Sequence, residues 1–112
     1  HTNLDAEFTA MKMRYGIGSP VALQNTERAL RALREAARAH PESAHVRHTL
    51  GSLFALRGEF DNAIREYKAA LAADPNFLRA RHALIDAYSA QGMTQEMLEE
   101  AQRALELQRQ RK

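Results

Sequence analysis

Histidine and carboxylate side chains in the middle of this 112-residue sequence stand at positions where they could bind a metal ion. His45 and His48 are three residues apart, which places two imidazoles on one face of a helix. His82 and Asp86 would lie on the neighbouring helix at the same height, completing a set suited to zinc or nickel. The set lacks the spacing of a recognised metal motif, and ordinary exposed histidines are the favoured interpretation. We therefore predict no resident metal, and histidine-based metal binding stays a minor alternative.

Arrangements that would support catalysis are scarce in the sequence. No serine or histidine pairs as nucleophile and base at a turn, and the adjacent Glu99 and Glu100 project from different sides of a helix. Residues 16–19, Gly-Ile-Gly-Ser, have the form of a phosphate-binding turn, but no strand precedes them and no Lys-Ser/Thr pair follows. We interpret this segment as a linker. The sequence thus predicts a protein that is not an enzyme and needs no cofactor.

The composition favours one small helical domain. Ala, Leu, Arg, Glu and Gln are abundant, whereas the β-branched residues Val, Ile and Thr are sparse. The absence of cysteine excludes a disulfide framework. The formal net charge of +2 is nearly balanced, so no nucleic-acid partner is expected. No apolar run approaches the roughly 20 residues that cross a bilayer, so no membrane span is predicted.

The two ends of the sequence suggest a piece of a longer protein. The chain begins with His1 rather than with methionine, and it ends in Arg-Gln-Arg-Lys. The composition, rich in alanine and arginine, favours a bacterial source. The compartment, cytoplasmic or periplasmic, stays open.

An internal repeat organises the centre of the chain. Pro41 and Pro75 lie 34 residues apart, and small, aromatic and glycine residues coincide at the same offset on both sides. The matched pairs include Arg47 and Arg81, Leu50 and Leu84, Phe54 and Tyr88, Gly58 and Gly92, Ile64 and Leu98, Ala70 and Ala104, and Leu71 and Leu105. A repeat of this length suits two helices with a bend at Gly58 or Gly92.

At these residues the chain resembles the tetratricopeptide repeat. The positions that carry the resemblance are Leu50, Gly51 and Phe54 in the first helix, and Ala63, Tyr67, Ala70 and Pro75 in and after the second. Arginine replaces the family's tryptophan at Arg47 and Arg81, and we expect the first helix to be less anchored for that reason. The resemblance implies an all-α fold, a solenoid of antiparallel helix pairs with about six helices in a right-handed superhelix.

The repeat and the capping signals divide the chain into helices. A first helix is predicted over residues 4–15 and a second from Ser19-Pro20 to Ala39, because serine and proline start helices well. Two hairpins follow, over residues 43–56 and 60–73, then 77–90 and from Thr94 onwards. The predicted sections are residues 1–19 and 20–41 as a degenerate unit, 42–75 and 76–109 as two repeats, and 110–112 as a tail.

The resemblance implies that the first helices of the units line a concave groove, whose side chains are not needed for the core. The predicted peptide-binding residues are His45, His48, Ser52, Leu56, Asn76, Arg79, His82, Asp86 and Ser89. We expect a protein-interaction scaffold that binds a peptide or helix there, an acidic one held by Arg79 and by protonated histidines. The alternative is self-association through an end helix bearing Leu98, Leu105 and Leu107, which would make the protein a homo-oligomer.

Overall fold

The computed structural model of the protein describes residues 20–110, with side chains from residue 24 onwards. All regular secondary structure in that range is α-helical, which confirms the predicted all-α fold. The helices are α1 (Pro20–Ala39), α2 (Ala44–Leu56), α3 (Phe60–Ala73), α4 (Leu78–Ala90) and α5 (Thr94–Gln110). The helix predicted over residues 4–15 and the loop after it lie outside the described residues. None of these five helices is long and apolar enough to cross a membrane.

The chain divides into two compact units, His1–Ala32 and Leu33–Lys112. The first unit includes α1 up to Ala32, and this part of the helix carries the buried Leu30. In the second unit, α2 packs on α3, α3 on α4, α4 on α5, and α2 also contacts α4. This order of contacts is that of two helix hairpins lying side by side. The predicted division into residues 20–41, 42–75 and 76–109 stays a prediction.

Glycine turns the chain between the two helices of each hairpin. Gly58 has a φ of 81° and Gly92 a φ of 71°, a region that side-chain-bearing residues rarely adopt. The same hydrogen bond closes both turns, from Glu59 N to Phe54 O at 2.9 Å and from Met93 N to Tyr88 O at 2.8 Å. The turns are therefore structural copies of each other, and both glycines interrupt the helices as the repeat predicts.

The starts and ends of the helices follow from local chemistry. Ser43 caps α2, its Oγ accepting from Val46 N at 3.2 Å. α1 ends at Ala39 and α3 at Ala73, each two residues before a proline, because proline disfavours helical backbone in the residue before it. These ends match the predicted ones.

The core of the second unit lies between the hairpins and uses small residues where helices approach closely. Ala63, Ala70 and Ala80 are completely buried, and larger apolar side chains surround them. The larger buried side chains are Leu50, Leu53, Phe54, Ile64, Tyr67, Leu84 and Tyr88. Burying each of these contributes about 1.5–3 kcal/mol. The core thus holds α2–α5 together and leaves the other faces of α2 and α4 free of a packing role.

Candidate functional site

The side chain of Tyr67, on α3, passes over α2 at Gly51 and so reaches the exposed side of α2. A Cβ atom on Gly51 would stand 2.7 Å from Tyr67 Cε1, so only glycine leaves room for the ring. The Tyr67 hydroxyl donates to Ser52 Oγ at 3.3 Å, and Ser52 Oγ donates to His48 O at 3.1 Å. Burial raises the pKa of Tyr67, the Ser52 bond opposes that rise, and the Asp86 carboxylate adds to it. Tyr67 therefore stays a neutral hydroxyl donor beneath this face.

The imidazole of His48 lies between two aromatic rings. Its centroid is 5.8 Å from that of Tyr67 and 5.3 Å from that of Phe77, at tilts of 38° and 49°. Burial lowers the pKa of His48, and the nearby Arg79 and His45 lower it further. His48 is therefore neutral at pH 7. A neutral imidazole has no positive charge with which to attract carboxylates, which argues against the expectation of a protonated His48. Its ring and that of Phe77 instead form an aromatic surface, which we call the His48–Phe77 shelf.

Five side chains from α2 and α4 and the turn between the hairpins form one surface, which we call the α2/α4 face: His48, Ser52, Phe77, Arg79 and Asp86. Arg79 lies close enough to lower the pKa of His48, and Asp86 close enough to raise that of Tyr67. Arg79 and Asp86 are exposed, whereas His48, Ser52 and Phe77 are half-buried. The face thus presents a cation and a carboxylate beside an aromatic shelf.

The remaining predicted site residues are placed less closely. His45 is exposed and near His48. His82 and Ser89 are exposed on α4, and Leu56 is half-buried at the end of α2. Asn76 belongs to the turn before α4, where its backbone N–H donates to Asp74 Oδ1 at 3.1 Å.

Arginine ties the two helices of each hairpin together where the sequence suggested a weaker anchor. Arg47 Nη1 lies 3.0 Å from Glu66 Oε1, and Arg81 Nη1 lies 2.6 Å from Glu100 Oε1. Both pairs join residues 19 positions apart, and the second pair is the first one moved by one repeat. Arg81 Nη2 also donates to Pro75 O at 2.9 Å. The expectation that these arginines leave the first helix less anchored is therefore wrong.

A second contact recurs between one hairpin and the helix before it. The Arg34 guanidinium stands over the Phe54 ring at 5.6 Å, and Lys68 Nζ stands over the Tyr88 ring at 5.9 Å. The two cations, and likewise the two rings, again stand one repeat apart in the sequence.

The profile of the tetratricopeptide repeat family matches residues 21–76 and 49–110. The chain belongs to the tetratricopeptide repeat family. It is therefore a protein–protein interaction module.

Solved structures of MamA are similar to this repeat protein. A MamA mutant is 31% identical with a TM-score of 0.69, over 88% of this chain and 69% of that one. A crystal structure of MamA is 26% identical with a TM-score of 0.75, over 87% of this chain and 57% of that one. MamA MSR-1 C2 is 30% identical with a TM-score of 0.73, over 93% and 57% respectively. The chain thus spans little more than half the length of several of these proteins. No curated protein matches it significantly.

The repeat fold does not assemble the hypothesised metal set. Among residues whose placement the structure describes, no three His, Asp or Glu side chains come together to hold a metal ion. His45, His48, His82 and Asp86 therefore do not form such a group in this structure. The His48 ring instead contacts the rings of Tyr67 and Phe77 at tilted angles.

Sequence reasoning missed two features of this tetratricopeptide repeat. It did not predict that Tyr67 reaches Ser52, although Ser52 directly after Gly51 is a hydroxyl placed to accept from a ring crossing there. It also missed both arginine–glutamate pairs. Their signal was present, because Arg47 and Glu66 recur together as Arg81 and Glu100 at the repeat offset.

Proposed function

We propose that the α2/α4 face binds a peptide segment of a partner protein, with a peptide carboxylate on Arg79. The observation that carries this proposal is the position of Arg79 beside the His48–Phe77 shelf, exposed and without an ion pair among the described residues. A guanidinium presents paired N–H donors that match a carboxylate. An acidic residue is therefore the natural anchor.

The spacing on α4 sets the length of the peptide that would fit. Arg79 and Asp86 are seven residues apart, which is roughly 10 Å along a helix at 1.5 Å per residue. An extended peptide covers that distance in about three residues at roughly 3.3 Å each. We therefore expect an acidic residue and a basic or amide residue about three positions apart. An apolar side chain between them would rest on His48 and Phe77.

Fluorescence polarisation with a panel of labelled peptides tests this proposal. The panel varies the spacing between one glutamate and one lysine around a central leucine, and it includes the same peptides with glutamine for glutamate. For the best binder, Arg79→Glu should weaken binding by about tenfold or more, the loss of a charge-assisted contact. Arg65→Glu makes the same charge change on an exposed part of α3 and should leave binding unchanged.

A charge exchange makes the test specific for the orientation of the peptide. Asp86→Lys should favour a peptide with glutamate in place of lysine at the second position. Binding that ignores both Arg79→Glu and Asp86→Lys would contradict a site on the α2/α4 face. Equal binding of the glutamine peptides would contradict the acidic anchor.

Self-association is a second candidate, favoured by exposed leucines on α5. Leu98 is 55% exposed and Leu105 59% exposed, whereas Ile64, the repeat equivalent of Leu98, is only 9% exposed. A second copy covering these leucines would bury them as Ile64 is buried. Sedimentation should then show a concentration-dependent dimer that Leu98→Glu abolishes and Gln110→Glu, exposed on another side of the same helix, does not. A monomer at all concentrations would remove this candidate.

A further inference from the structure

A cavity of about 430 Å³ lies where residues of α1, α2 and α3 in the second unit meet. It is separate from the α2/α4 face. Its walls combine charged and apolar side chains: Arg34, Ala37, Arg38, Pro41, Arg47, Leu50, Phe54 and Glu66. A cavity of this volume falls in the range of small-molecule sites. Neither the repeat nor the proposed peptide face accounts for this combination.

Positive charge dominates the cavity. Three guanidinium groups line it against the single carboxylate of Glu66, and Glu66 already pairs with Arg47 at 3.0 Å. Arg34 stacks over the Phe54 ring at 5.6 Å, which leaves its N–H groups available at the edge of the ring. Arg38 is exposed and has no ion pair among the described residues. Two cations therefore remain to bind an anion.

The floor of the cavity is apolar. Ala37, Leu50 and Phe54 are all buried and contribute to its lining. A hydrated inorganic anion would gain nothing from such a floor, whereas a ligand with an apolar body would remove its own apolar surface from water against it. The two available arginines and the apolar floor together favour a ligand with a carboxylate attached to an apolar group.

We propose that this cavity binds an apolar carboxylate, with the carboxylate on Arg34 and Arg38 and the apolar body on Leu50 and Phe54. Two sources present this chemistry: a free organic acid, or the C-terminal residue of a peptide. The site is independent of the α2/α4 face. On α2, Arg47, Leu50 and Phe54 lie on one side of the helix, and His48 and Ser52 lie on the other.

The next repeat shows which residues distinguish the cavity. One repeat later, Leu71 stands in place of Ala37 and Ala72 in place of Arg38. The larger side chain takes up space and the second cation is lost. Consistent with this, the Arg81 side chain is 9% exposed, whereas the equivalent Arg47 is 26% exposed.

The chain itself therefore supplies the substitutions for a test. Ala37→Leu fills the cavity with the residue used in the next repeat and keeps every charge. Arg38→Ala removes an exposed cation, again as in the next repeat. Arg31→Ala, exposed on α1 and outside the lining, is the matched control.

Binding is measured by NMR titration of the whole chain with N-acetylphenylalanine and with its uncharged amide. An acetylated pentapeptide ending in phenylalanine, as free acid and as amide, tests the peptide source. We expect the acids to shift the side-chain N–H resonances of Arg34 and Arg38 and to bind about tenfold or more tightly than the amides. Arg38→Ala should weaken binding about tenfold, Ala37→Leu should abolish it, and Arg31→Ala should leave it unchanged.

The affinities for N-acetylphenylalanine and for the pentapeptide acid show which kind of ligand the cavity takes. A site for a free organic acid excludes the pentapeptide, whereas a site for a peptide C-terminus binds the pentapeptide at least as tightly as N-acetylphenylalanine. The proposal is overturned if neither acid binds, if acid and amide bind equally, or if Ala37→Leu binds as the unchanged chain does. It is also overturned if inorganic phosphate competes as well as N-acetylphenylalanine, because the apolar floor would then be irrelevant. Arg38→Ala, an exposed substitution, keeps the test valid if Ala37→Leu fails to fold.

Discussion

Arg81 and Glu100 form a buried ion pair between α4 and α5, with Nη1 and Oε1 2.6 Å apart. Their side chains are only 9% and 10% exposed. The second carboxylate oxygen of Glu100 accepts from Arg103 at 2.7 Å. In the preceding hairpin the equivalent Arg47 and Glu66 are 3.0 Å apart and 26% and 15% exposed. The two repeats thus place the same pair in a drier and a wetter environment.

Removing the carboxylate should cost more in the drier copy. Glu100→Ala leaves the Arg81 guanidinium buried without a counter-charge, which is expected to lower the free energy of unfolding by about 3–5 kcal/mol. Glu66→Ala leaves Arg47 with access to water, and we expect a loss of about 1–3 kcal/mol. Urea denaturation of both variants measures the difference. Replacing both Arg81 and Glu100 by leucine should recover most of the loss, and equal losses at Glu66 and Glu100 would show that burial does not set the cost.

A methyl group at position 51 should destabilise the hairpin of α2 and α3. Alanine favours a helix over glycine by about 1 kcal/mol. However, the new Cβ would meet the Tyr67 ring at 2.7 Å and Ala63 O at 3.2 Å. The hydrogen bond to Ser52 holds that ring, so we expect Gly51→Ala to cost about 1–3 kcal/mol, the usual range for overpacking. Thermal denaturation measures it. In a Tyr67→Ala background the same change should be neutral or stabilising, and a stabilised single variant would contradict the close approach.

Acid should weaken the fold through His48. Its pKa is lowered in the folded state from the ordinary value of 6.5, chiefly by burial. As the pH falls through 6.5, the unfolded chain therefore binds a proton at His48 more readily than the folded chain does. The free energy of unfolding decreases from there until the pH reaches the lower pKa of the folded state. Melting temperatures between neutral and mildly acidic pH should fall less steeply in His48→Phe than in the unchanged chain. An unaltered slope in His48→Phe would refute the assignment.

The cation over each aromatic ring should contribute modestly to the contact between hairpins. Lys68 Nζ is 5.9 Å from the centre of the Tyr88 ring. Lys68→Gln is expected to lower the free energy of unfolding by about 0.5–1 kcal/mol, as for exposed cation–π pairs, and Lys68→Arg should retain it. Arg65→Gln, exposed on the same helix, should change stability by less than about 0.5 kcal/mol. Urea titration of all three separates the ring contact from a general charge effect.

Much of the fold could be predicted because the repeat contains prolines and glycines, whose backbone preferences are strong and local. Pro41, Gly58, Pro75 and Gly92 limit where helices can run, through backbone geometry alone. The candidate site was less predictable. His45, His48, His82 and Asp86 have metal-binding chemistry, but helix periodicity does not say which rings will stack and which will face water.

The all-α class, the helix ends and the repeat offset could be predicted from the residues alone, because they depend on residues close together along the chain. Packing between helices was needed to establish that Arg81 pairs with Glu100, that Tyr67 crosses at Gly51 to reach Ser52, and that His48 is neutral. Each of these depends on the distance between side chains on different helices and on the water excluded between them. Such distances arise only when the hairpins pack.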